Sequence, residues 1–93
     1  MTTSLFTFLL EYRGGTYLRQ LVADNHLQAL DRWTECLDET RMRDNHKQEL
    51  RAEIEVWPDI WFDPVAVKDL QSVWYTGITA NGDLAQLTIV KTA

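Results

Sequence analysis

Two histidines, one cysteine and a band of carboxylates are the residues of this chain whose types could support chemistry, and their spacing decides against most of it. His26 and His46 each stand at the start of a predicted helix, and neither has a second His, a Cys or a carboxylate at a spacing that closes a metal site. Cys36 is alone, which leaves no internal disulfide and no multi-cysteine zinc site. With no base beside it, the thiol reads as a small core filler rather than a nucleophile. Asp31, Glu35, Asp38 and Glu39 follow one helix surface. Acid-base pairs need a cleft and unequal environments, so these carboxylates read as a solvated face or as an acidic docking strip. Gly14-Gly15 joins two predicted strands instead of leading from a strand into a helix, so it cradles no phosphate. The residues therefore point to a protein that is not an enzyme and needs no cofactor or metal.

A binding role has more to draw on. Residues 57–64 read Trp-Pro-Asp-Ile-Trp-Phe-Asp-Pro, with two prolines and two aspartates among three aromatics and an isoleucine. Such a stretch is a structured loop. Trp57, Trp61 and Phe62 either form a small core that locks the loop or, beside acids, make a surface for an Arg- or Lys-rich partner. Together with Asp31, Glu35 and Asp38 they are the candidate binding residues, and a basic protein is the partner they suit.

The elements that would position these groups begin with the strongest local signal, Asn81-Gly82. This dipeptide takes positive φ at both central positions of a type I′ turn, so residues 72–92 form a hairpin in which Ala80 faces Asp83, Ile78 faces Ala85, Thr76 faces Leu87 and Trp74 faces Ile89. That face is apolar. The other carries Val73, Tyr75, Gly77 and Thr79 against Leu84, Gln86, Thr88 and Val90, a mixed surface able to meet a partner. Residues 4–12 and 16–23 form a second hairpin around Gly14-Gly15, with Phe6, Phe8, Leu10 and Tyr12 on the same face as Ala23, Leu21, Arg19 and Tyr17. A one-residue slip would turn the second strand over.

Between the hairpins the period changes. Asn25, with Gln28 three residues on, caps a helix expected to run to about Arg41, with Leu27, Ala29, Leu30, Trp33, Thr34 and Leu37 as its apolar stripe. Asn45 and Gln48 repeat the start signal for a second helix over residues 46–55, anchored by Leu50 and Ile54 and expected to pack peripherally. Asp63-Pro64 suits the cap of one short helical turn, with a brief strand at 65–67 as the competing reading. The fold expected is a single two-layer α+β domain, β-β-α-α-β-β, its two antiparallel hairpins joined in one four-stranded sheet with the first helix on one face.

Composition sets the remaining bounds. Ninety-three residues with 45% hydrophobic content make one globular domain. The net charge of −5 is concentrated in the middle, where residues 24–69 hold twelve acids against six bases. An acidic chain disfavours nucleic acid, which needs a basic face. Residues 1–10 lack a basic leader and read as a strand, and no stretch suits a bilayer, so a cytoplasmic protein without membrane contact is expected.

The order hairpin, helix, hairpin, with Ala23-Asp24 leading into a helix marked by Ala29-Leu30, resembles the partial ribonuclease-H-like fold of the HicB-type antitoxins over residues 6–37. The chain departs from that family in lacking its Pro-Gly-Cys-like turn and in adding an acidic helical segment. The resemblance implies a small protein that neutralises a partner by binding. The leading functional expectation is thus an acidic regulator, inhibitor or immunity-like protein that docks on another protein. The alternative is a homodimeric structural or small-ligand-binding domain that uses the outer sheet face through Val73, Tyr75, Leu84 and Val90.

Overall fold

The computed structural model describes residues 3–37, 41–56 and 64–92. Five antiparallel strands form one sheet: β1 (Ser4–Tyr12), β2 (Gly15–Ala23), β3 (Val65–Ala66), β4 (Val73–Ala80) and β5 (Asp83–Lys91), in the order β2-β1-β5-β4-β3. Two helices, α1 (His26–Glu35) and α2 (Asp44–Val56), lie between β2 and β3 in the chain. The α+β class is as expected. The four-stranded sheet is corrected to five.

The fifth strand is the segment where the sequence suits one helical turn, with the brief strand as the competing reading, and the strand is what forms. Val67 N–H donates to Val73 O at 2.9 Å and Leu70 N–H to Val67 O at 3.2 Å, closing a tight loop. Asp69 (φ 65°) and Ser72 (φ 59°) take left-handed backbone within it. The loop returns the chain so that Val65 pairs with Tyr75 and Ala66 with Trp74. A ladder with an existing strand satisfies these backbone groups at once, whereas an isolated helical turn would leave most of them unpaired.

The β4–β5 hairpin has the register its turn dictates, with Asn81 and Gly82 at φ 51° and 81° and pairs running from Ala80↔Asp83 to Trp74↔Ile89. The β1–β2 hairpin turns one residue earlier than expected. Its loop is Arg13-Gly14, at φ 48° and 78°, and Tyr12 faces Gly15. The pairing is slid by an even number of residues, so every side chain keeps its predicted face. A left-handed arginine is disfavoured by roughly 1–2 kcal/mol. Tertiary contacts offset that cost: Arg13 reaches charged partners, and glycine at 15 leaves room for the Tyr17 ring, whose hydroxyl would lie 2.6 Å from a Cβ there.

One face of the sheet carries the core. Phe6, Phe8, Leu10, Tyr12, Ile78, Ala80, Ala85, Leu87 and Ile89 are buried on it beneath Ala29, Leu30, Trp33 and Leu37, and Trp33 stacks on Phe8 at 6.0 Å. At the start of α1, Asn25 Oδ1 accepts from Gln28 N–H at 2.8 Å, while Gln28 Oε1 accepts from Asp24 N–H at 2.7 Å. The cap forms as predicted. The helix stops short of Arg41, at Glu35, because the chain leaves helical geometry at Cys36, whose carbonyl accepts from the Arg19 guanidinium at 2.7 Å. The apolar stripe is also narrower than predicted, with Leu27 52% exposed.

α2 is less peripheral than its two apolar anchors suggest. Leu50 is completely buried, and His46 and Met42 are buried beside it. It packs on the same sheet face as α1, over the end where both hairpins turn.

Candidate functional site

Two features stand out. The first is a polar cluster at the turn end of the sheet, assembled from β1, β2, α2 and the β4–β5 hairpin. Tyr12 O–H donates to Glu49 Oε2, with Ala80 O at 3.1 Å as a second acceptor. Arg13 Nη1 donates to both Glu49 oxygens at 2.7 and 2.8 Å, and its Nε lies 3.3 Å from Asp83 Oδ2. Beside them the buried His46 ring holds Nδ1 2.7 Å from Tyr17 Oη and meets the Tyr12 and Tyr17 rings edge-on, at 5.1 and 5.9 Å.

The electrostatics of this cluster lock it. Burial, together with the hydrogen bond to ionised Glu49, pushes the Tyr12 hydroxyl up to about 12. The hydrogen bonds from Tyr12 and Arg13 hold the Glu49 carboxyl below its usual range. General acids and bases work best with a pKa near the operating pH, and these two groups are displaced in the opposite direction. They act as a clamp between α2 and the hairpins.

The clamp has a pH signature. The folded state keeps the Tyr12 proton above pH 10, where an unfolded chain releases it, so this contribution to stability is complete below pH 10 and lost as pH rises toward 12. Followed by phenolate absorbance, one of the three tyrosines should ionise only as the fold is lost, and Tyr12→Phe should remove that phase. At the acid side, His26 stacks on Trp74 with ring centroids 4.2 Å apart, and its burial there lowers the imidazole pKa. Its contribution is present above the ordinary histidine range and fades as pH falls.

The second feature is the sheet face opposite the helices. Cross-strand pairing aligns its side chains in rows, and the central one runs Leu18, Leu9, Thr88, Tyr75, Val65 across all five strands. Neighbouring rows hold Gln20, Thr7, Val90 and Val73, then Val22 and Leu5. Leu18 is 69% exposed, and Val22, Val65, Tyr75 and Leu84 are about half exposed. At its turn end, Glu11, Thr16, Gln86 and Leu84 meet Arg13 and Gly14 around a shallow depression of about 400 Å³.

Comparison with family models, with curated proteins and with solved structures finds no match to this chain. Its function therefore has to be read from its own surface.

Of the predicted binding residues, the two that are described, Asp31 and Glu35, lie at neither feature. Asp31 and Glu35 are exposed on α1, in the layer opposite the bare face, and Glu35 borders a small cleft of about 120 Å³ with Arg51 and Ile54 of α2. Asp38, Trp57, Trp61 and Phe62 lie outside the described residues. The Tyr12 cluster has no sequence signal, because its members come from four segments and hydrogen-bond across 29 to 68 residues. The two halves of the bare face are legible by alternation, but their union depends on β1 pairing with β5. Among the described residues, no three His, Cys, Asp or Glu side chains are grouped to hold a metal, and no helix is long and apolar enough to cross a membrane.

Proposed function

We propose that this protein is a non-enzymatic binding module that docks on another polypeptide through the outer face of its sheet. The observation that carries this reading is the placement of both helices on one face, which leaves Leu18, Tyr75 and Val65 of the central row exposed, with Leu9 and Thr88 half-buried between them. Contiguous exposed apolar surface of several hundred Å² is uncommon on a monomer and marks an interaction site. The sheet edge is less available. Leu5 O accepts from Thr92 N–H on the β5 side, so the cross-strand partner of Leu5, Val22, directs its own backbone groups away from β1, and Arg32 Nη1 already occupies Val22 O at 2.7 Å.

The resemblance to HicB-type antitoxins belongs with this reading, since it implies action by binding. The acidic surface of Asp31 and Glu35 lies on the other layer, where it raises encounter with basic proteins without forming the contact itself. A photoreactive benzoylphenylalanine placed at Tyr75, and separately at Asp31, tests the assignment in the native host. Polypeptide adducts are expected from position 75 and not from position 31. Adducts from position 31 alone would return the site to the acidic helix.

A further inference from the structure

We propose that the occupant of the outer face is a second copy of this chain, packed sheet on sheet about a two-fold axis. This rests on the reading of that face as the working surface, and it names the partner. The face is at the lower limit of the size a stable pair needs. Four strands spaced about 4.8 Å apart and about 29 Å long, with the two-residue β3 at their edge, span roughly 600 Å². A standard interface takes about 800 Å² from each partner.

Charge selects the partner. The chain carries a net charge of −5, yet of the side chains on the outer face of the five strands only Glu11 is charged. A basic protein finds no row of acids there. A nucleic acid or an anionic membrane finds no Lys or Arg on the strands of that face, and Arg13 at its turn end is already paired with Glu49 and Asp83. What complements an uncharged sheet of Leu, Val, Thr and Tyr is another such sheet, and a second copy brings one of matching dimensions.

The register avoids a like-charge contact. An axis along the central row sets Thr88, on the middle strand of the sheet, opposite its own symmetry mate. The same rotation turns the Glu11 row toward the row of Thr7, Gln20, Val73 and Val90, so the two carboxylates do not meet. Sheets packed in this way align to within about 30°, and residues near the axis move least under such a rotation.

Sedimentation equilibrium on the purified chain from about 1 to 500 μM, with Thr88→Glu and Thr88→Lys, tests the pair. The unaltered chain should reach twice its mass of 10.8 kDa. Each variant alone should associate at least about 30-fold more weakly, as loss of a central contact implies. Mixing the two variants should restore the pair, which a misfolded chain would not do. A monomer throughout the range, a pair that forms equally well in Thr88→Glu, or a mixture that stays monomeric overturns the proposal. A monomer that still gives adducts from position 75 to a different protein removes the second copy while leaving the binding reading in place.

Discussion

Replacing Trp33 by Ala should remove a large share of this protein's stability. The ring is 1% exposed and stacks on Phe8 of the sheet. Removing a buried tryptophan leaves a cavity and costs about 3–5 kcal/mol. A domain of this length has about 5–14 kcal/mol in all. Urea titration followed by far-ultraviolet circular dichroism should show a midpoint moved far toward zero, with the pretransition baseline shortened or gone. A Trp33→Ala protein with an unchanged midpoint would mean that α1 does not cover the sheet.

The second large effect is expected from Leu50→Ala, by a different route. Leu50 is the completely buried anchor of α2, with His46 and Met42 beside it. Truncation of a buried leucine costs about 2–5 kcal/mol. The clamp from Tyr12 and Arg13 to Glu49 holds this helix at one point near its middle and leaves its last two turns to apolar packing. The loss should therefore be local first: α2 amides should exchange hydrogen freely while β1 and β5 remain protected. Equal loss of protection in the helix and the central strands would show that α2 and the sheet unfold as one unit.

How much of this fold is legible in the chain depends on the range of the interaction that decides each element. Asn81-Gly82 settles its hairpin locally, because two positive φ values in sequence define both turn and register. Asn25 and Gln28 settle the start of α1 in the same way. Gly14-Gly15 offers an equally good turn, but Arg13 gains more from Glu49 and Asp83 than the glycine pair gains from its own freedom. That contest is invisible without α2 in place. β3 likewise depends on a ladder with Tyr75 and Trp74 rather than on its own residues. The site follows the same rule. Alternation exposes Tyr75, Leu84, Leu18 and Val22 as outward-facing residues, whereas only the β1–β5 pairing merges them into one surface. The acids of α1 attract notice in the sequence because charge is easy to read there. An uncharged patch scattered over five strands is not.

The central pairing of β1 with β5 also bears on how the chain comes into being. Phe6 pairs with Lys91 and Tyr12 with Ala85, contacts that join the first of the described strands to the last of them. Until β5 emerges from the ribosome, β1 has one open edge and the core side of the first hairpin lacks Leu87 and Ile89. Such distant contacts slow folding, and the waiting intermediate is open to aggregation. Synthesis rate and chaperone supply, rather than final stability alone, should then govern how much of the protein accumulates in a cell.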